Sequence, residues 1–309
     1  MIYTLTVNPA IDLNVRAADM APNRVTRTTG ALHTPNGKGL NVSFTLQRYG
    51  VPSTILGFFG GYSGDYIVEG SRAMGCEVMG VRVDGITRIN YFVSLEDGSG
   101  DEYKFVEAGA EVSRERQLEM LELIDGLDDL SCLVISGSLA PGIDVSYYDE
   151  LVDHVVAKGA EFAFDISHPC LARLVERGPL LIKPNDEELE QIFGVDAHDE
   201  AAILASLAEV RGRGAKNILL TLGGDGAYFA SEQGIWHASA APIKMLSSAC
   251  AGDATLGSFL SLWFDDRDGV ERALVRAMAT GGNVAECFGL GDFARVGELE
   301  PLIEVRRIA

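Results

Sequence analysis

Residues 132–193 read CLVISGSLAPGIDVSYYDELVDHVVAKGAEFAFDISHPCLARLVERGPLLIKPNDEELEQIF, and their rhythm decides the fold class. Cys132–Ser136, Glu161–Asp165 and Leu180–Lys183 are short, mainly apolar runs, as expected of strands buried on both faces. Tyr147–Lys158 and Glu187–Phe193 carry their apolar residues at helical spacing. The same alternation extends in both directions. Ile2–Val7, Thr54–Phe59 and Asn217–Thr221 read as further buried strands, and Leu40–Tyr49, Asp65–Met74, Arg114–Leu127 and Glu200–Arg211 as helices. Many of these helices run into a glycine, at Gly50, Gly75, Gly126, Gly159, Gly194 and Gly212, where a left-handed cap forms most easily. The pattern predicts an α/β fold, a doubly wound, mostly parallel sheet flanked by helices on both faces.

Two segments break the rhythm. Asp12–Thr34 is polar and extended, with no helical period, and Thr87–Leu95 and Glu102–Ala108 alternate around the turn Glu96–Asp101 as a hairpin does. Antiparallel strands interrupting an α/β chain predict a small β lid, inserted from about 12–34 and 87–108. Ligands in such folds bind at the C-terminal ends of the strands, where a lid would exclude water. A decorative insertion is the plainer alternative; Arg88 and Asn90, both on the hairpin, favour the lid. No internal repeat or low-complexity linker divides the chain, so 1–309 is expected to be one domain.

Composition narrows the function. The 309 residues are 47% hydrophobic and carry 45 acidic against 25 basic side chains, a formal charge of −20. Such a surface argues against nucleic-acid binding. Solubility accounts for most of it, but an enzyme for anionic substrates would have to gather its few Lys and Arg in the site. Cys76, Cys132, Cys170, Cys250 and Cys287 are widely spaced, with no C-x-x-C, as in a chain with free thiols in a reducing cytoplasm. The five histidines form no zinc pattern. The N-terminus lacks a basic leader and its apolar run ends at Pro9, so it reads as a strand; no apolar stretch approaches the roughly 20 residues that span a bilayer. A cytoplasmic protein without membrane contact is the expectation.

Several motifs carry candidate chemistry. Ser247–Phe259 runs small residues into Asp253 and then an apolar helix. That order puts a carboxylate and free backbone N–H groups at one helix N-terminus, the equipment for moving a phosphoryl group onto an alcohol. Gly37-Lys38-Gly39 lacks the Ser or Thr of a P-loop, Leu32 replaces its first glycine, and no G-x-G-x-x-G follows the first strand. Asn36–Asn41 brackets a lysine with glycines before a helix, reading equally as a close approach to a sugar or as a capping turn. Asp12 follows the first strand, where it could hold sugar hydroxyls or belong to a turn at Pro9. Ser136–Gly142 leaves room after a strand, and Thr221–Ala227 is a glycine-rich turn entering the hairpin Ala227–Ala230 / Gly234–His237. Lys183–Glu188 allows both a capping box between Asn185 and Glu188 and a carboxylate holding water on magnesium.

In this order, Asn8–Asp12, Asn36–Asn41, Thr87–Asn90, Ser136–Gly142, Lys183–Glu188, Leu222–Ala227 and Ala251–Asp253 resemble the PfkB (ribokinase-like) carbohydrate kinases across nearly the whole chain. Thr6–Asp12 looks most like the branch of 1-phosphofructokinase and tagatose-6-phosphate kinase. The resemblance implies a ribokinase-like fold, ATP and Mg2+ as cofactors, and a sugar phosphate as substrate. It makes Asp253 the catalytic base and the Ala251, Gly252 and Asp253 amides the anion hole. Asp12, Gly37, Gly39, Asn41, Asn90 and Ser138 would hold the sugar, and Lys38, Arg88 and more weakly Lys104 its phosphate. Lys183, Asn185, Thr221, Gly223, Gly226, Ser248 and Asn283 would line the ATP site, with Asn185 and Glu188 organising magnesium through water. A homodimer through the lid is a further expectation.

The chain departs from the family pattern at Asn36 and Cys250, where glycine is usual. Asn36 would tolerate a left-handed backbone, and Cys250 is either an acidic thiol at a helix N-terminus or an inert buried one. Asp253 at that N-terminus is expected to have a low pKa. The leading activity is phosphorylation of fructose 1-phosphate at O6. Alternatives are tagatose 6-phosphate at its 1-hydroxyl, fructose 6-phosphate, and a non-catalytic sugar-phosphate sensor.

Overall fold

The computed structural model describes residues 1–98 and 101–308. The N-terminal half contains β1 (Ile2–Thr6), β2 (Ala10–Ala17), β3 (Thr28–Asn36), α1 (Lys38–Arg48), β4 (Ser53–Gly60), α2 (Gly61–Ala73), β5 (Glu77–Val83), β6 (Ile89–Leu95), β7 (Glu102–Phe105), α3 (Arg114–Asp125), β8 (Cys132–Ser136) and α4 (Tyr147–Ala157). It is followed by β9 (Glu161–Asp165), α5 (Leu171–Leu174), β10 (Leu181–Ile182), α6 (Asp186–Phe193), α7 (Glu200–Gly212), β11 (Ile218–Thr221), β12 (Ala227–Ser231), β13 (Gly234–Ala238), α8 (Ala251–Trp263), α9 (Val270–Ala285), α10 (Val296–Leu299) and β14 (Val305–Arg307).

One sheet runs in the order β14-β13-β12-β11-β10-β9-β8-β1-β4-β5. It is parallel from β5 to β11 and antiparallel from β11 to β14. Both faces are covered, and the pleat shows it. On β8, Leu133 and Ile135 enter a core shared with α3, α4, α6 and α7, while Cys132 and Val134 enter one shared with α1, α8 and α9. After β1 the chain builds first on one side, through β4 and β5, and then on the other, through β8 to β11. The crevice at that reversal is where a ligand is expected.

The cap expectation holds at Gly50, Gly75, Gly159 and Gly194, which take positive φ. Gly126 instead stays right-handed (φ −74), and Gly212 is the last residue of α7, the left-handed turn falling at Gly214.

A second sheet, β3-β2-β6-β7, forms the lid. Its two hairpins, β2/β3 and β6/β7, are antiparallel, and β2 and β6 join them in parallel. The polar stretch after Asp12 is thus the first hairpin; β2 alternates apolar Ile11, Leu13 and Val15 with polar Asp12, Asn14 and Arg16, whereas β3 has no such period to mark it as the partner strand. Of the turn between β6 and β7, Ser99 and Gly100 lie outside the described residues. The register sets Asp12 opposite Asn90, giving both side chains one face of the lid.

Candidate active site

A cavity of ≈970 Å3 opens at the strand ends beneath the lid. Its wall brings together Asp12, Asn36, Gly37, Lys38, Arg88 and Asn90 from one side with Lys183, Asn185, Glu188, Thr221, Gly223 and Gly226 from the other. Ser248 and Cys250–Asp253 form the wall between them.

Helix α8 delivers Asp253. It packs closely on α1, because a Cβ at Gly257 would come within 2.7 Å of Thr45 Cβ and 2.8 Å of the Val42 carbonyl. That contact brings Asn41 to Asp253, and its Nδ2 donates to Asp253 Oδ2 at 2.8 Å. Among the described residues the Gly252 and Asp253 amides meet no acceptor, as befits a first helical turn, while that of Ala251 reaches the Ser248 carbonyl at 3.4 Å. Cys250, the N-cap, has φ 62 and ψ −10. A left-handed backbone costs a residue with a Cβ about 1–2 kcal/mol. The expectation of a left-handed Asn36 is therefore misplaced: the strain falls on Cys250, and Asn36 does not have positive φ.

The expected low pKa of Asp253 is also corrected. Its carboxyl is raised from 3.8 to about 6, chiefly by burial and next by the charge of Asp165, against the pull of Lys38, Asn41 and Lys183. Desolvation here outweighs the helix terminus. Burial likewise pushes the Cys250 thiol far up, with Asp253 and Asp12 adding to it, which favours the inert buried thiol over the acidic one.

Asp165, the last residue of β9, escaped the motif reading. It is completely buried, and its Oδ1 lies 3.1 Å from Lys38 Nζ and 3.3 Å from Lys183 Nζ. Burial alone would raise its pKa, but the two ammonium groups prevail and lower it. Asp165 in turn is the main cause of the raised pKa of Lys38. The one available signal was an acid ending a correctly located buried strand.

On the lid side Asp12 accepts from Asn90 Nδ2 at 2.9 Å and from the Asn36 amide, and burial raises its pKa. Arg88 donates to the carbonyls of Asn8 (2.8 Å) and Glu107 (3.1 Å), leaving its buried Nε without a partner among the described residues. A side cavity of ≈260 Å3 shares Gly37, Lys38 and Arg88 with the main one and adds Ser138, Ser167 and His168.

At the other end Asn185 and Glu188 form the full capping box, with bonds of 2.7 and 3.0 Å. Glu188 also accepts from Ser167. The apolar wall here comes from Ala241, Pro242, Ile243, Met245 and Met278, which carried no sequence motif.

Some expected residues lie elsewhere. Lys104 is exposed on β7, paired with Glu102 at 3.0 Å, and does not line the cavity. Asn283 accepts from the Arg295 amide at 2.9 Å, and Gly281, Gly282 and Ala285 line the wall in its place, because the helix turns Asn283 inward. Gly39 packs on Thr6 and the Leu5 backbone, and Asn41 stands behind Asp253 instead of facing the cavity.

Residues 4–295 match the family described as pfkB family carbohydrate kinase. The chain belongs to the pfkB family. A D-tagatose-1-phosphate kinase of Klebsiella oxytoca is 43% identical over 305 residues, covering 99% of each chain. A 1-phosphofructokinase of Bacillus subtilis is 30% identical over 308 residues, covering 100% of each. The structure of phosphofructokinase-2 from Escherichia coli in complex with substrates and products superposes with a TM-score of 0.91 at 25% identity, covering 97% of this chain and 98% of that one. This pfkB protein therefore has the ribokinase-like fold and is a sugar-phosphate kinase, a phosphotransferase with an alcohol acceptor. The sensor reading is not retained. No helix among the described residues is long and apolar enough to cross a membrane.

Proposed function

We propose that the protein transfers the γ-phosphoryl group of ATP to the 6-hydroxyl of a ketohexose 1-phosphate, D-tagatose 1-phosphate first and D-fructose 1-phosphate second. The observation that carries this is the buried Asp253 beside the Gly252 and Asp253 amides, which meet no acceptor among the described residues, in one cavity with the lid's Asp12 and Asn90. The 43% identity to a D-tagatose-1-phosphate kinase, against 30% to a 1-phosphofructokinase, supports the order of substrates. It also supports replacing the tagatose 6-phosphate expectation with the 1-phosphate. Both sugars then carry phosphate at C1 and a free hydroxyl at C6.

Asp12 and Asn90 hold the sugar hydroxyls. Arg88, Lys38 and Ser138 receive the C1 phosphate in the side cavity. Asp253 takes the proton of the 6-hydroxyl as its oxygen bonds to the γ-phosphorus. The bond from that phosphorus to the β–γ bridging oxygen breaks, and ADP leaves. The Gly252 and Asp253 amides and the ammonium of Lys183 stabilise charge on the migrating group. Gly252 keeps the gap between amide and ammonium open, since a Cβ there would sit in contact with Lys183 Nζ at 3.4 Å. Thr221, Gly223, Gly226 and the apolar 241–245 wall hold the nucleotide.

The residues fit magnesium only in its usual nucleotide-bound form. Among the described residues no cluster of three or more His, Cys, Asp or Glu could cage a metal, and Glu188 is already engaged as a cap. Glu188 and Asn185 would reach magnesium through water, and the ion would neutralise phosphate charge.

Tyr91, Phe105 and Tyr103 are exposed on one face of β6 and β7 and support a homodimer through the lid. Sedimentation of wild type and Tyr91→Glu tests it. The activity is tested by ADP release with ATP, magnesium and a panel of the 1- and 6-phosphates of tagatose and fructose and the free sugars. Highest kcat/KM on a 6-phosphate, or no ADP release with any acceptor, refutes the proposal.

A further inference from the structure

Asn36 and Cys250, far apart in the sequence, touch one another in the fold. Asn36 Nδ2 lies 3.7 Å from Cys250 Sγ, and both side chains line the main cavity. We propose that Asn36 and Cys250 act as one unit that selects the configuration of the acceptor sugar at C4. The proposal rests on the reading of the substrate as a ketohexose 1-phosphate and specifies which one.

The chemistry of the two candidate sugars sets the question. Tagatose and fructose differ only in configuration at C4. In the furanose ring C4 is bonded to C5, and C5 carries the C6 hydroxymethyl arm that is phosphorylated. With O6 at Asp253, the substituents of C4 lie against the stretch of wall beside that carboxylate. Asn36 and Cys250 line the cavity and are joined to Asp253 through Asn41, which places them in that stretch.

Their bonds tie it to both ends of the acceptor site. The Asn36 amide donates to Asp12, and its Oδ1 accepts from Asn41 Nδ2 at 2.9 Å. The same Asn41 nitrogen donates to Asp253 Oδ2 at 2.8 Å and lies 3.4 Å from Cys250 Sγ. One chain of contacts thus runs from the carboxylate that holds hydroxyls to the carboxylate that accepts the proton. Asn36 sets the direction of Asp12, and the sulfur fills the angle between the two carboxamides. Glycines at 36 and 250 would leave that angle open and Asp12 without this donor.

The fold does not demand these side chains. Cys250 has φ 62, where glycine is the relaxed choice, so its Cβ and sulfur stand in the cavity wall against the preference of the backbone. A strained conformation of this kind persists where surrounding contacts over-determine it and gathers at functional sites. The two amide contacts to the sulfur are such a constraint. A shaped pocket discriminates substrates that differ by one methylene by about 10–200-fold, the scale expected for a wall that meets or misses one substituent. Asn36 and Cys250 are positioning residues in this scheme, and the ratio between two epimers is the quantity they control.

The test uses the full-length protein at saturating ATP and magnesium. The kcat/KM for D-tagatose 1-phosphate and D-fructose 1-phosphate is measured for wild type, Asn36→Gly, Cys250→Gly, the double variant and Cys250→Ala. Cys250→Gly relaxes the backbone, so folding is not at risk there. Each single glycine variant is expected to change the tagatose-to-fructose ratio by about tenfold or more. The double variant should go no further than the larger single change, and KM for ATP should stay within about twofold. Cys250→Ala, which keeps the Cβ but loses the sulfur, should move the ratio in the same direction as Cys250→Gly. An active enzyme whose ratio stays put in the glycine variants overturns the inference alone. So does a ratio that moves with Cys250→Gly but not Cys250→Ala, since backbone relaxation then explains it. A wild type inactive on both sugars overturns the substrate reading and this inference together.

Discussion

Replacing Asp253 with Asn should make the protein more stable and nearly inactive, with a gain that depends on pH. The folded state raises the Asp253 carboxyl from 3.8 to about 6. A pKa unit corresponds to about 1.4 kcal/mol, so keeping this group ionised in the folded protein costs about 3 kcal/mol at pH 7–8. That figure already nets burial and the repulsion of Asp165 against the attraction of Lys38 and Lys183, and burial prevails. The sign follows from a folded-state pKa above the unfolded one. For an acid, the penalty is complete above the folded value and is relieved as pH falls from about 6 towards 3.8. Asn at this position carries no charge and can still accept from Asn41 through its carbonyl oxygen. Urea titrations should therefore show Asp253→Asn more stable by about 3 kcal/mol at pH 8, with roughly half of that left at pH 5. ADP release should fall by about 100- to 10,000-fold, the usual contribution of a positioned base. Equal stabilities at pH 8, or a gain constant between pH 5 and 8, would mean that burial does not raise this carboxyl and refute the reasoning.

The same shift predicts a wild-type kcat/KM that falls about tenfold per pH unit below about pH 6, as measured with a buffer series and coupled detection of ADP. Arg88→Ala should raise KM for the sugar 1-phosphate about 10–100-fold, the loss of a charged hydrogen bond, with KM for ATP little changed. An unmoved sugar KM removes Arg88 from the phosphate site. Iodoacetamide at pH 8 should leave Cys250 unmodified in the folded protein and label it in urea, because burial, then Asp253 and Asp12, hold the thiol protonated; peptide mass mapping reads this out.

What the sequence revealed and what it hid divide along one physical line. Cys132–Ser136 and Glu161–Asp165 are strands with the bounds their apolar runs predicted, since strands buried on both faces announce themselves locally. The start of α8 was legible for the same reason: small residues, an acid and an apolar helix are contiguous. The lid strand β2 did alternate, Ile11, Leu13, Val15 and Ala17 against Asp12, Asn14 and Arg16, but the signal ends at Ala17 and its partner β3 shows no comparable period, so the hairpin was not legible as a pair. Asp165 drew no notice because its meaning comes from Lys38 and Lys183, which only the folded sheet brings to it. The pKa of Asp253 was misjudged for a related cause. The helix N-terminus is a local feature visible in the sequence, whereas burial and the charge of Asp165 arise only in the fold, and they are larger.

That correction changes the chemistry expected of the base. An aspartate with a low pKa would accept the proton only late in the transfer, as a weak base must. At about 6, Asp253 is charged at neutral pH yet has real affinity for a proton, close to the match between pKa and working pH that favours general-base catalysis. Asp165 contributes twice to this state. Its charge raises Asp253 directly, and it occupies Lys38 and Lys183, whose ammonium groups would otherwise draw the pKa of Asp253 down more strongly. In a chain of net charge −20, those lysines are also scarce attractors for phosphate, so Asp165 balances base strength against anion affinity. Asp165→Asn separates the two effects. It removes a repelling charge and frees two cations, so the acid limb of kcat/KM should move below pH 6, kcat should fall, and KM for ATP should not rise. An acid limb that stays in place or moves upward would show that Asp165 does not tune the base, and its burial between two lysines would then need another cause.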